Sequence, residues 1–363
     1  MFPNQFQFGK DIADVFLNPN IFSVLAMALT QSGKTGSMLS VIQQVPHQHV
    51  FIITGLSSVD WMNQTRQRFP SKYHDSIFHR NQLPKFVQKV KNLKNVLIII
   101  DENQIAFKES QSIHQAFEQA KIMNLNDLKR KQVRIVHFTA TPTNTSDFLK
   151  NDFSQIVMMR HEPAYISAFD LLDQKRILEY KNLCGALHDH DYSHVNWKDP
   201  ESFVEVDRIV FQHIEEIRPF LKQPKYHIIR TAHSFYHDVT ILNFRTVFPD
   251  AIMISETELD DMDQLLLTKP ETHTFLFIKE KLRCAKTLPK QHLGVLYERL
   301  TKKPVMDTIL QGLVGRLTGY HTNLDSVVFS NPTLVEEYRR HWVRKFVDYK
   351  KIPSIFIGIG SKL

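Results

Sequence analysis

At residues 28–36 the chain reads ALTQSGKTG, closing the apolar run IFSVLAMAL (21–29), and helical periodicity resumes directly after it in GKTGSMLSVIQQV. An apolar strand that ends in Gly-Lys-Thr and turns into a helix is a phosphate-cradling arrangement. Ala28, Gly33, Lys34 and Thr35 stand in the four defining places of the pattern Ala/Gly-x-x-x-x-Gly-Lys-Ser/Thr. Backbone N–H groups of such a turn, with the start of the next helix, present roughly half a positive charge to an anion. Lys34 is placed to reach the terminal phosphates of a nucleotide, the Thr35 hydroxyl to bind Mg²⁺, and Gln31, Ser32 and Gly36 to complete the cradle. The pattern is short, so the rest of the chain has to separate this reading from a chance match.

Beyond this turn, short apolar runs alternate with segments of helical period. HVFIIT (49–54), NVLIIID (95–101) and VRIVHFTA (133–140) follow the first run, and the intervening stretches carry apolar residues at three- and four-residue spacing. Runs apolar on both faces are expected of buried parallel strands covered by helices, and their alternation with helices predicts a doubly wound α/β domain. Ligands of such sheets bind beyond the carboxyl ends of the strands. The Gly-Lys-Thr turn, Asp101 and Thr139 all lie at that end of a run. A second series follows in YHIIRTA (226–232), AIMISE (251–256), HTFLFIKE (273–280), HLGVLYER (292–299) and SVVFSN (326–331), with an amphipathic stretch from Thr333 to about Tyr349. The expected organisation is a first α/β domain over residues 1–160, a partly helical connector over 161–222, and a second α/β domain over 223–363.

The run ending in Asp101-Glu102 supplies adjacent carboxylates. The first is suited to Mg²⁺ and the second to accept a proton from water attacking a γ-phosphate; a plain helix cap is the alternative for the pair taken alone. HFTATPT (137–143) ends another run with two hydroxyls, Thr139 and Thr141, on a turn fixed by Pro142. Taken in order, the phosphate turn, Asp-Glu-Asn-Gln (101–104) and Thr-Ala-Thr-Pro resemble motifs I, II and III of superfamily 2 helicases. FIITGLSSVDW (51–61) resembles motif Ia, IIRTAHS (228–234) stands near motif IV, FIKEKLRCAKTL (277–288) near motif V, and ILQGLVGRLTGYH (309–321) resembles motif VI.

The resemblance covers nearly the whole chain except 161–222 and is strongest to the compact helicases of large DNA viruses and phages. It implies two RecA-like domains, each a mostly parallel sheet flanked by helices, with ATP and Mg²⁺ in the cleft between them. It implies Glu102 as the base, Arg316 as an arginine finger and Gln311 as a guide for the attacking water. Thr35 and Asp101 are implied as metal ligands, and Thr139, Thr141 and Gln104 as coupling residues. Nucleic-acid contacts fall on Thr54, Gly55, Ser57, Arg230, Thr231, Arg283 and Thr287. Three places depart from the family pattern. Gln104 replaces the usual fourth acid or histidine, Gln311 stands one residue further from Gly-Arg than usual, and Gly319 occupies the place of a second arginine. Gln5 or Gln7, in PNQFQF, stands where the family reads the adenine base.

Composition bounds these expectations. The chain has 363 residues, more than one core usually serves, and 42% apolar with 23% charged residues excludes a disordered or fibrous chain. A formal net charge of +7 suits a polyanionic partner. Two cysteines without CxxC spacing indicate neither a zinc site nor a disulfide framework and fit a reducing compartment. No apolar run reaches the ~18–20 residues of a membrane span, and no signal-peptide pattern opens the chain. The expectation is an intracellular soluble monomer, in the host cytoplasm or nucleus if viral. HDHDYSH (188–194) offers metal-ligating side chains but has loop composition, and the basic clusters at 85–94, 129–131 and 339–345 read as solvated helix faces.

The leading functional expectation is an ATP-dependent helicase or translocase on nucleic acid, DNA before RNA. A nucleic-acid scaffold or switch that binds ATP and turns over weakly is the alternative. A small-metabolite kinase would share Gly-Lys-Thr but leaves the second α/β half unexplained.

Overall fold

The structure is a computed structural model and describes residues 2–54, 56, 59–101, 112–141, 152–185, 208–232, 235–259, 261–279, 287–320 and 325–346. Glu102, Gln104, Gly55, Ser57, Arg283 and the HDHDYSH segment lie outside the described residues. The chain divides into two compact units, Met1–Pro163 with the residues from Arg340 onward, and Ala164–Arg339.

In the first unit the order is α1 (Pro3–Val15), β1 (Ser23–Met27), α2 (Lys34–Gln44), β2 (His49–Thr54), α3 (Val59–Arg68), β3 (Ile77–Phe78), α4 (Leu83–Val90), β4 (Val96–Asp101), α5 (Ser112–Ala120), α6 (Leu125–Lys131), β5 (Val133–Thr139) and β6 (Ser154–Met158). The strands form one parallel sheet in the order β3-β2-β4-β5-β1-β6. Each long apolar run of the sequence becomes a central strand, because only a strand covered on both faces gains from being apolar on both. Val96 to Ile100 are at most 1% exposed, which identifies β4 as such a strand. On one face Phe51, Phe78, Phe86 and Phe117 form a continuous aromatic cluster with ring centroids 5.5–6.1 Å apart. Two strands carry no such run. β3 has two residues, and β6 sits at the sheet edge with Gln155 exposed, so neither stands out in the sequence.

The second unit runs α7 (Ala168–Asp173), β7 (Ile177–Glu179), α8 (Arg208–Glu215), β8 (Tyr226–Arg230), α9 (Phe235–Val247), β9 (Ile252–Ser255), α10 (Met262–Leu267), β10 (Thr274–Ile278), β11 (Leu293–Tyr297), α11 (Met306–Gln311), α12 (Leu313–Leu317), β12 (Val327–Ser330) and α13 (Pro332–Val343). Its sheet, also parallel, has the order β7-β12-β11-β8-β10-β9. Phe244 and Phe248 of the α9 region pack on Phe275 and Phe277 of β10 at 5.1–5.3 Å between centroids. Part of the stretch expected as a connector is built into this unit. Ile177–Glu179 pairs with β12 as an edge strand, and Asn182 and Leu183 are bonded through their carbonyls to His213 and Asn243. Three residues of edge strand are too few to show a period, which is why the stretch reads as connector in sequence. Two parallel six-stranded sheets flanked by helices agree with the expected pair of RecA-like folds. Among the described residues no helix is long and apolar enough to cross a membrane.

Two core histidines make the fold pH-sensitive. His137 in β5 shares a hydrogen bond between its Nε2 and the Ser23 hydroxyl at 3.1 Å, and burial pushes its pKa down to about 3. His227 in β8 accepts from the backbone N–H of Val295 through Nδ1 at 2.9 Å and faces His273 Nδ1 through Nε2 at 3.0 Å. Its pKa is pushed down to about 3, first by burial and then by His273 and Lys225. The unfolded chain binds protons at these sites from about pH 6.5 downward, whereas the native chain does not until about pH 3. Stability is therefore full above about pH 6.5 and declines below it, by about 1.4 kcal/mol per pH unit for each histidine. Urea midpoints measured from about pH 7 to about pH 5, above the ordinary carboxylate range, are expected to fall steadily. A flat profile across that window would show that the two imidazoles are not held neutral.

Candidate functional site

The site of the first unit is built along one edge of its sheet. Parallel register places Met27 beside Thr139, Phe138 beside Asp101, and Asp101 beside Thr54. The ends of β1, β5, β4 and β2 thus form one row, with adjacent strands about 4.8 Å apart. The Ala28 N–H donates to the Thr139 carbonyl at 3.0 Å, tying the start of the phosphate turn to the Thr-Ala-Thr turn. Ser32, fully buried, closes the phosphate turn by donating its hydroxyl to the Leu29 carbonyl at 2.7 Å. Gly33 then caps α2 at φ +96°, in the left-handed region where a side chain is strained. Lys34 is the first residue of α2, and Thr35 and Gly36 follow in its first turn, half-buried. Gln31 also has positive φ, at 59°. The sequence pattern is therefore realised as a tight turn feeding the N-terminus of an eleven-residue helix.

The amide of Gln5 fills the space behind this turn. A Cβ at Gly33 would collide with Gln5 Nε2, and one at Gly36 would collide with Gln5 Oε1. Gln5 is 5% exposed, and its Oε1 accepts from the backbone N–H of Phe2 at 3.1 Å. Helix α1 is held on α2 through the Phe6 carbonyl, which accepts from the Ser40 hydroxyl and the Gln44 amide, each at 3.0 Å. Gln5 thus backs the phosphate turn; Gln7 points elsewhere and donates to Asp11 at 2.8 Å. The contact joins residues 28 and 31 positions apart, so no local spacing announces it.

Asp101 ends β4. Its Oδ2 accepts from the indole N–H of Trp61 at 2.9 Å, a contact the sequence reading missed. Thr139 accepts through Oγ1 from the Thr141 N–H at 3.0 Å and donates to the Thr141 carbonyl at 2.8 Å, so one hydroxyl fixes the turn; both threonines are 1% exposed. Thr54 is fully buried, and its hydroxyl accepts from the Leu56 N–H at 3.3 Å.

In the second unit Arg316 lies in the five-residue α12 and is 1% exposed. Its Nη2 donates to the Gln311 carbonyl at 2.9 Å, and the side chain of Gln311 is itself buried. The N-terminus of α12 rests on Glu298, whose Oε2 accepts from the Leu313 N–H at 3.1 Å. Glu298 is held in turn by Arg230, Nη1 to Oε1 at 3.1 Å, with both side chains at most 4% exposed. Arg230 and Thr231 line a cavity of about 660 Å³ with Lys181, Cys184 and Arg299. The Thr231 hydroxyl bonds His237 Nδ1 at 2.7 Å. Thr287 is exposed on the stretch after β10. Lys290, which sequence reading passed over, donates to the Thr318 carbonyl. Its pKa is pushed down to about 8, first by burial and then by the charge of Arg316.

The Gly319 departure has a local cause. Gly319 sits at φ +116° and exchanges two backbone hydrogen bonds with Ile166, at 2.8 and 3.0 Å. An arginine there would be forced into a backbone conformation that L-residues rarely adopt.

The residues present fit a nucleotide with Mg²⁺. The phosphate turn offers backbone donors at a helix N-terminus, and Thr35 and Asp101 are the oxygen ligands Mg²⁺ prefers. Among the described residues no cluster of three His, Cys, Asp or Glu could hold another metal.

No protein-family model matches the sequence, and no curated protein matches it. Solved structures do. The E. coli DExH-box NTPase HrpB aligns at 11% identity and a TM-score of 0.52, over 89% of this chain and 41% of that one. S. cerevisiae Dbp5 bound to RNA and ADP BeF3 aligns at 12% identity and a TM-score of 0.48, over 96% and 92% of the two chains. The NS3-like helicase from Alongshan virus aligns at 10% identity and a TM-score of 0.45, over 85% and 76%. This chain spans less than half the length of HrpB. With two parallel sheets of RecA type and this likeness to HrpB, the chain has a fold of two RecA-like domains.

Proposed function

We propose that this chain is an ATP-dependent helicase or translocase that moves on a nucleic-acid strand. The observation that carries the reading is the row along the first sheet, where the phosphate turn, Asp101 and the Thr139–Thr141 turn stand at neighbouring strand ends. In this reading the first-turn N–H groups of α2 and Lys34 bind the β- and γ-phosphates, with Gln31, Ser32, Gly33 and Gly36 shaping the cradle. Thr35 and Asp101 hold Mg²⁺, which when bound polarises the phosphoryl oxygens. Glu102 takes the proton of the attacking water, Gln311 orients that water, and Arg316 stabilises charge on the γ-phosphate. Thr139, Thr141 and Gln104 carry the nucleotide state to the strand, which meets Gly55, Ser57, Arg283 and Thr287; Thr54, Thr231 and the ion-paired Arg230 are buried and act on that strand from behind, not by contact. DNA is proposed before RNA as the strand.

The test is the rate of ATP hydrolysis with Mg²⁺ and single- or double-stranded DNA or RNA at low and high salt. Stimulation by at least one polymer is expected. Single-strand affinity should fall with log salt at a slope of about −0.7 per neutralised phosphate. Hydrolysis indifferent to every polymer would overturn the reading. Nucleotide binding without turnover would favour an ATP-binding scaffold or switch, for which the backbone-imposed glycine in place of the second arginine is the supporting observation.

A further inference from the structure

Trp61 stands in the first turn of α3 and is 6% exposed. Most buried tryptophans serve as packing, and their N–H takes whatever acceptor is near. Here the acceptor is Oδ2 of Asp101, 2.9 Å away and forty positions on in sequence. Thr54, which ends the strand before α3, is the register partner of Asp101. An indole N–H is a donor only. Given to a carboxylate, it makes one of the stronger hydrogen bonds a neutral side chain can form and restricts rotation of the carboxylate plane.

We propose that Trp61 is the positioning residue for Asp101, setting the carboxylate's orientation and through it the affinity of the site for Mg²⁺. The inference rests on Asp101 being the metal-side carboxylate of the function proposed above. Groups that orient a ligand without touching the metal typically change metal affinity by about 10–100-fold when removed. Trp61 differs from a packing residue in one respect: its loss acts on the metal before it acts on turnover.

Trp61→Phe keeps most of the ring and removes the donor. In a variant that melts like the parent, the Mg²⁺ concentration for half-maximal hydrolysis at saturating ATP should rise about tenfold. The rate at saturating Mg²⁺ should stay within about twofold of the parent. A variant with a lowered rate and an unchanged Mg²⁺ requirement would overturn the proposal and leave Trp61 a core residue. A second measurement keeps Trp61 in place. The chain has three tryptophans, so the Trp197→Phe, Trp342→Phe protein reports Trp61 alone by fluorescence. Its emission should change on addition of Mg²⁺ with a non-hydrolysed ATP analogue, and an unchanged spectrum would overturn the proposal even if Trp61→Phe does not fold. If the spectrum responds to Mg²⁺ but the parent hydrolyses no nucleotide, the orientation of Asp101 stands and the hydrolase reading fails.

Discussion

Lys34→Ala is expected to lose ATP hydrolysis by on the order of 10²–10³-fold or more, the scale for removing one preorganised charge-stabilising group. Lys34 follows Gly33, whose φ of +96° turns the chain into α2, and it begins an eleven-residue helix. Its ammonium adds a full charge to the partial charge of the helix N-terminus at the point where a β/γ-phosphate would sit. Nothing else in the described turn carries a formal positive charge, since Gln31, Ser32, Thr35 and Gly36 are neutral. The residue is half-buried, and the turn is held by the Ser32 hydroxyl, the Ala28–Thr139 backbone bond and the Gln5 amide. The variant should therefore melt within a few degrees of the parent while its turnover disappears. Single-turnover hydrolysis beside a thermal melt checks both halves. Retained hydrolysis in Lys34→Ala would show that the turn is not a nucleotide cradle.

Glu298→Gln should have the largest effect on stability. Arg230 and Glu298 are an ion pair with side chains 4% and 3% exposed, and Glu298 also accepts from the Arg299 and Leu313 N–H groups. Removing the carboxylate charge leaves a guanidinium buried with its counter-charge gone, which costs about 3–5 kcal/mol in comparable pairs. That is a large share of the 5–15 kcal/mol of a typical domain. Replacing both partners with apolar residues of similar volume should recover much of the loss, because the desolvation penalty then vanishes with the charges. Urea denaturation of Glu298→Gln and of an Arg230→Met, Glu298→Leu double variant measures the difference. A single variant within about 0.5 kcal/mol of the parent would mean that water already reaches the pair. The single variant should also lower hydrolysis, because the Leu313 N–H loses its carboxylate acceptor at the start of the helix that carries Arg316.

The role proposed for Lys34 was legible because Gly-Lys-Thr and its flanking strand and helix are contiguous, and turn chemistry and period are local properties. The same holds for Asp101 at the end of VLIIID and for Thr139 at the end of VRIVHFT. The Arg230–Glu298 pair was not legible. Arg230 reads in sequence as a phosphate contact at a strand end, and only the parallel neighbouring of β8 and β11 places the carboxylate beside it. Glu298 follows Tyr297 in HLGVLYER without any pattern to mark it.

The amino-acid sequence by itself determined the fold class and the strand ends on which phosphate chemistry gathers, because burial on both faces dictates apolar runs and a tight phosphate turn dictates glycine. The tertiary structure alone decided what supports those residues. Gln5 behind Gly33 and Gly36, Trp61 on Asp101, and Glu298 under Leu313 are contacts between segments 15 to 40 positions apart. Such contacts depend on sheet order and on which helix face is turned inward, and a linear pattern records neither. Gly319 shows the same division at one residue: its identity is read from the chain, but the reason for it lies in the φ of +116° that it adopts where it pairs with Ile166.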